Sequence, residues 1–363
     1  MNNSMKKICK IFAILIVILL VIIGLFTNYS YVIYSAGPTL NTLGKIDENN
    51  YLIQIVGQKR KEAKGQLHLT TVSQEGGPDS YINGIRLIKA WFDDEEDIKP
   101  YENVFPKNVT QKQINAFNKA QMLMSQQSAI VSAFSQIGKV VNSEITVNDI
   151  TKDSSFYKKL QKGDKILSIE TVRKASASNV KDFYDLLAQT KPGSNIRMEI
   201  MRKNKTLIFD GKTLKPIDGA VNGNRGSRLG VVLETKYDFP EKIKFTLSDI
   251  GGPSAGLMFS LAILDIISPK PFLGNVNIAG TGTISPNGYV GEIGGVKYKI
   301  LGAKKENIKW FLLPKENCSE AMKANIKGVR LIPVEKIEQA KKAVENISAG
   351  KTGSLPKCSI HNK

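Results

Sequence analysis

Histidine is almost missing from this chain of 363 residues: His68 and His361 are the only two. His361 sits in a polar tail, and His68 lies in a strand-like segment and reads as structural. A Ser-His-Asp triad is therefore short of candidates. Cysteine is nearly as scarce. Cys9, Cys318 and Cys358 show no metal-ligand spacing; a Cys318–Cys358 bridge is the alternative reading, and unpaired thiols are the expectation. No metal or other cofactor is expected: the Gly-Lys-Thr strings at Gly211 and Gly350 lack the earlier glycine that a phosphate-binding loop needs. Acidic residues are outnumbered, 33 against 51 basic ones, for a net charge of +18. That excess suits an anionic envelope surface or a lysine-rich background. With no zinc-finger spacing, RNA-binding signature or arginine-rich block, nucleic acid is not an expected partner. What is plentiful is apolar side chain, 42% of the residues, enough for a buried core in two or three domains.

The N-terminus combines Lys6, Lys7 and Lys10 with an uncharged run from Ile11 to Phe26, which Thr27 to Tyr34 extends with three tyrosines. At 1.5 Å per residue the strict run measures about 24 Å, and the extension brings it to the thickness of a hydrocarbon core. Positive charge before the span and tyrosines after it predict a single-pass anchor over residues 11–34. Residues 1–10 would be cytoplasmic and everything after Ala36 outside the cell membrane. A cleaved signal peptide is the competing reading, disfavoured by bulky Tyr34 where a small residue is preferred.

Residues 35–129 read as a linker, Gly37 to Lys45, followed by an N-terminal segment. That segment holds the strands "YLIQIV" and "QLHLTTV", a helix in "INGIRLIKAWF", a solvated acidic stretch "DDEEDIKP", and a long helix ending near Gly138. Met122 and Met124 on the long helix are expected in the core. The texture then changes to short strands around the amphipathic helix "NVKDFYDLLAQTKPG", with a hairpin turning at Lys203-Asn204. The unit built on "SSFYKKLQKGDKILSIE" resembles a PDZ domain, placed at residues 130–215, although a Gly-Leu-Gly-Phe-like loop is not visible in it. The Gly/Asn-rich stretch Asp218 to Gly230 reads as a linker. Alternating strands and helices over residues 216–347 predict a compact α/β domain, and residues 348–363 a disordered tail.

The stretch "DIGGPSAGLMFSLAILDII" places Ser254 behind a Gly-Gly-Pro turn at the mouth of an apolar helix. Such a serine can simply cap the helix. It can also be a nucleophile, with Gly252 to Ala255 offering backbone N–H groups to an oxyanion. The base must then be a lysine whose pKa burial has lowered. On the helix after Gly295, Val296, Lys299, Ile300 and Ala303 share one apolar face. Lys299 thus points inward and Lys297 does not, unless Lys299 snorkels to the rim of that face.

"GGPSAG" followed by "AGTGTISPNGYVGEIGGVKYKILGAKKENIKWFLLP" resembles the proteolytic domain of Lon proteases. With the anchor and the PDZ-like unit, the chain is most similar to membrane-anchored, PDZ-containing Lon-like proteases. The resemblance implies an α/β (α+β) Lon-type domain with an inserted PDZ-like domain and one N-terminal transmembrane helix, and it implies that "GQLHLTTV" belongs to the proteolytic domain. It implies a Ser254–Lys299 dyad supported by Thr281, with Gly252 and Ala255 at the oxyanion site. It also implies an endopeptidase acting without ATP on flexible or unfolded protein and peptide substrates, and assembly into a homo-hexamer. ATP-dependent members carry an acid three residues before the serine; here that place is Gly251, and Asp249 is the nearest acid. The rival reading is a non-catalytic membrane adaptor that binds peptides through its PDZ-like unit.

Overall fold

The structure is a computed structural model, and it describes residues 3–58, 64–107, 109–171, 176–177, 179–216, 226–247 and 250–359. It divides into two compact units, Met1–Pro38 with Thr71–Phe117, and Thr39–Thr70 with Asn118–Lys363.

The first unit opens with helix α1, Asn3–Phe26. The helix stops there: Thr27 and Tyr29 donate their side-chain hydroxyls to the carbonyls of Ile23 and Gly24, and Tyr31–Asn41 is a strand. The tyrosines expected to prolong the membrane span, and most of the expected linker from Gly37, are therefore extended chain. Gly37 permits this, because a Cβ there would lie 2.3 Å from Thr71 Oγ1. Among the described residues no helix is long and apolar enough to cross a membrane. Helix α2, Gly84–Trp91, is capped by the Asn83 side chain. Leu87 and Ala90 on its inner face pack on Ile33, Ile82 and Ile98. The acidic stretch is only partly solvated: Glu96 holds Arg86, and Asp97–Pro100 pairs with Tyr31–Tyr34.

Helix α3, Gln111–Gln136, belongs to the second unit from Asn118 onward. Its Met122 is buried as expected, but Met124 is exposed. It leads into an antiparallel sheet with strands in the order 205–212, 195–202, 165–171, 142–150 and 231–238. Helix α4, Val180–Gln189, buries Phe183, Leu186 and Leu187 in the same core as Ile169 and Met198. The hairpin turns where expected, with Lys203 and Asn204 both at positive φ. The Gly163-Asp164 pair is explained by charge: buried Asp164 accepts two bonds from Arg202, at 2.6 and 2.7 Å. Strand Val231–Asp238, expected at the head of the α/β domain, instead forms an edge of this sheet. Of the expected linker before it, residues 217–225 lie outside the described residues.

The α/β part is a parallel sheet in which 330–334, 310–314, 277–280 and 66–69 are neighbours. "QLHLTTV" thus pairs with "NIAG" across the whole PDZ-like unit, which is an insertion. Strands covered on both faces are apolar at successive positions. Ile278 and Leu312 face the core that holds helices α5, Gly256–Ile267, and α8, Ile337–Ser348. Ala279, Phe311 and Leu313 face the core built with α6, Val296–Lys305, and α7, Cys318–Lys323. Of the expected tail, the described residues 348–359 are held to the fold. Leu355 is buried, and Cys358 is disulfide-bonded to Cys318, so the expected free thiols are a bridge.

Candidate active site

Helix α5 is buried all round from Gly256 to Leu264, which is why its sequence is apolar on every face rather than on a stripe. Its N-cap is Ala255, and no side chain caps it. Ser254, one residue earlier, is half-buried and its hydroxyl does not serve the helix. The hydroxyl instead accepts a bond from Lys299 Nζ at 2.7 Å.

The turn that presents Ser254 is gripped from several sides. Gly252 takes φ +89°, a conformation that favours glycine. A Cβ on Gly251 would lie 2.6 Å from Asn118 Cβ on α3. Gly252 N–H donates to the Asn118 carbonyl at 3.0 Å, and Ser125 Oγ to the Pro253 carbonyl at 3.0 Å. Gly282 N–H and Thr281 Oγ1 both donate to the Ser254 carbonyl, at 2.8 and 3.1 Å. Gly252, expected at the oxyanion site, therefore has its amide already engaged, and Pro253 has none to give. The amides of Ser254 and Ala255 have no protein acceptor among the described residues.

Lys299 is 4% exposed, and α6 buries more than the expected face, with Tyr298 and Leu301 also inside. Its ammonium donates to Thr281 Oγ1 at 3.1 Å as well as to Ser254. Desolvation pushes its pKa down to about 7, opposed by the charge of Glu320. Lys297 is half-exposed and lies over the Tyr298 ring. Thr281, fully buried, is fixed by its place at the end of strand Asn277–Gly280, where its N–H donates to Leu312. The three polar side chains the sequence singled out are thus in one hydrogen-bonded chain.

Three supports were missed. Asn118 and Ser125 on α3 were read only as parts of a periodic helix. Asn317, 2% exposed, is the N-cap residue of α7 but gives that helix no capping bond; its Nδ2 donates to Glu320 at 3.3 Å, and its amide also spans to another loop. Its Oδ1 accepts from Ile293 N–H at 3.0 Å and its Nδ2 donates to Ile293 C=O at 2.8 Å, fixing the entry to Gly294-Gly295 and α6. His68 is structural as expected: it is buried, bonds Gln66 at 2.8 Å, and its pKa is lowered by desolvation. Asp249 and His361 lie outside the described residues.

The family profile of the Lon protease (S16) C-terminal proteolytic domain matches residues 249–345, and that of the PDZ domain residues 121–213. The Lon protease of Buchnera aphidicola subsp. Schizaphis graminum (strain Sg) is 34% identical over 129 residues, 34% of this chain and 16% of that protein. The Lon protease of Clostridioides difficile (strain 630) is 45% identical over 65 residues, 18% of this chain and 8% of that protein. The chain thus spans less than a fifth of the length of these relatives. Among solved structures, the PDZ domain of the SdrC-like protein from Listeria monocytogenes is 20% identical and covers 26% of this chain and 92% of its own, with a TM-score of 0.21. Residues 249–345 of this chain are thus similar to the proteolytic domain of Lon-type serine peptidases, and residues 121–213 to a PDZ domain.

Proposed function

We propose that the protein is a membrane-anchored endopeptidase that works without ATP, cutting flexible or unfolded protein chains outside the cytoplasmic membrane with Ser254 as nucleophile and Lys299 as base. The observation that carries this is the 2.7 Å contact between the Ser254 hydroxyl and a lysine that burial brings near neutrality. A neutral amine at that distance takes the hydroxyl proton as Ser254 attacks a peptide carbonyl. The N–H groups of Ser254 and Ala255, at the positive end of α5, hold the oxyanion. Lys299 then passes its proton to the leaving amine, and water hydrolyses the acyl-enzyme by the reverse steps. Thr281 keeps the amine aimed at the serine.

The test is degradation of casein by the full-length protein in detergent. Wild type and Lys297→Ala are expected to cut, and Ser254→Ala to lose at least about 10³-fold in rate. Cleavage by Ser254→Ala equal to wild type overturns the reading and favours a scaffold that only binds.

Anchoring is supported by the basic N-terminus and by the exposure of every large apolar side chain of α1 from Ile11 to Ile23. An outside location is supported by the Cys318–Cys358 bridge, which fits an oxidising compartment. For the PDZ domain, the support is strand 231–238. It is an edge strand, entered through Gly230 at φ +68°, and Ser227 just before it donates to the Leu187 carbonyl near the end of α4. Such an edge beside a helix suits capture of an extended peptide by strand addition. A peptide ending in a free carboxylate is expected to slow cleavage of casein but not of a short chromogenic substrate. Equal inhibition of both sinks the capture role. A homo-hexameric ring remains part of this reading, to be weighed by sedimentation.

A further inference from the structure

The apolar stretch of α1 covers Ile11 to Phe26, about 24 Å of helix against a hydrocarbon thickness of about 30 Å. A short span is accommodated by thinning of the bilayer and by residues that settle in the interface beside it. The fold supplies such residues at the point where the chain leaves α1. Strand Asn28–Tyr29 pairs with Ile82–Asn83, directly before α2. Gly84 then abuts the last turn of α1 so closely that a Cβ there would lie 2.3 Å from the Gly24 carbonyl oxygen. Helix α2 is thus fixed to the end of the apolar rod.

Helix α2 has three kinds of surface. Leu87 and Ala90 face the local core. Arg86 is held by Glu75 and Glu96. The remaining face carries Ile85, Ile88 and Trp91, continued by Phe92, and it is uncovered: Trp91 is 80% and Phe92 83% exposed. Tyr81, just before the helix, is 61% exposed. Ile85, Ile88 and Phe92 recur at i, i+3 and i+7, one side of a helix. Tryptophan and tyrosine prefer the headgroup level of a bilayer, where the ring body is shielded and the polar edge stays wet.

We infer that the exposed face of α2 is a membrane-interface foot, lying in the outer headgroup region of the lipid bilayer with Trp91 and Phe92 inserted. This rests on the membrane reading of α1 and deepens it. The attraction is apolar rather than ionic. Lys89 is the basic residue of the last turn, while Asp93 and Asp94, exposed just beyond Phe92, keep the following loop in water. Binding through the foot should therefore depend little on salt or on anionic lipid.

The protein holds two tryptophans, Trp91 and Trp310. Full-length Trp310→Phe, reconstituted into phosphatidylcholine vesicles, leaves Trp91 as the reporter. The expected result is blue-shifted emission, quenched more by phosphatidylcholine brominated near the headgroup than by lipid brominated deep in the chains. Vesicle flotation of the same sample reads the anchor separately. Flotation without quenching overturns the foot and leaves the anchor standing. No flotation removes both. Unquenched emission whose blue shift grows with protein concentration overturns the foot in favour of a second copy of the chain on that face. Replacing Trp91 and Phe92 with serine should leave flotation and Ser254-dependent hydrolysis of a short soluble peptide unchanged, while a loss of either would show a role in folding instead.

Discussion

Lys299→Met is expected to abolish peptide hydrolysis and at the same time to make the protein more stable. Activity falls because methionine cannot take the Ser254 proton; a loss of about 10³-fold or more is the scale for removing half of a catalytic pair. Stability rises because burial penalises the charged lysine. Its folded-state pKa of about 7 lies below the ordinary lysine value of 10.5. Between those values the unfolded chain binds the extra proton, so wild-type stability climbs as pH rises through this window. Below pH 7 the penalty is full. It amounts to roughly 4–5 kcal/mol from the shift alone, offset by about 2 kcal/mol for the two hydrogen bonds lost. Methionine fills similar space without that cost. Urea unfolding at pH 7 and pH 10 should show a gain of about 2–3 kcal/mol at the lower pH that shrinks at the higher. The rate of wild type should rise with pH through about 7, since only the neutral amine is a base. A rate flat across the neutral range would mean that Lys299 is not the base, and one still climbing at about pH 9 with an unchanged unfolding midpoint in the mutant that Lys299 is charged in the fold.

Asn317→Leu should damage the fold as strongly as Lys299→Met relieves it. Its amide satisfies both backbone groups of Ile293 inside the protein. Leucine has nearly the same volume but leaves a buried N–H and a buried C=O without partners, at about 1–3 kcal/mol each. The loop that starts α6 then loses its anchor, so Lys299 loses its aim at Ser254. The expected outcome is a drop of about 2–5 kcal/mol in unfolding free energy, with residual activity limited by kcat rather than KM. Wild-type stability would mean that water serves Ile293 equally well. Asn317→Asp is the control: it keeps the acceptor for Ile293 N–H and loses the donor to its carbonyl.

The inward placement of Lys299 was legible in one dimension, while its pairing with Ser254 and Thr281 came from the resemblance to the Lon proteolytic domain. A lysine on the apolar stripe of a short helix is a local conflict, and local conflicts mark sites. The alternating strands and helices of the α/β part were legible for the same reason, through apolar runs bounded by Gly and Pro. What could not be read was mostly non-local. Asn118, Ser125 and Asn317 act on loops far along the chain, through one or two hydrogen bonds that no periodicity predicts. Val231–Asp238 looked like the start of a new domain because a Gly/Asn-rich stretch precedes it, yet it completes the previous sheet. Gly37-Pro38 looked like a linker, while Gly37 is there to let two strands meet. The Cys318–Cys358 pair is 40 residues apart, with nothing between the two cysteines that announces a bridge.

The insertion of the PDZ domain also sets a timetable for synthesis. Thr70 bonds Gly280 across 210 residues, so the central parallel pair of the catalytic sheet must wait for most of the chain. The inserted domain shortens that wait, because its own first and last strands meet: Asn142 is paired with Asp238. Once it folds, the long loop between the two catalytic segments is closed in advance and most of the closure entropy has already been lost. An order of events is then expected. The inserted PDZ domain can close on itself before Ser254, Thr281 and Lys299, all later in the sequence, are joined. Ser254 and Lys299 are thereby kept apart until the segments on both sides of the insertion have been made.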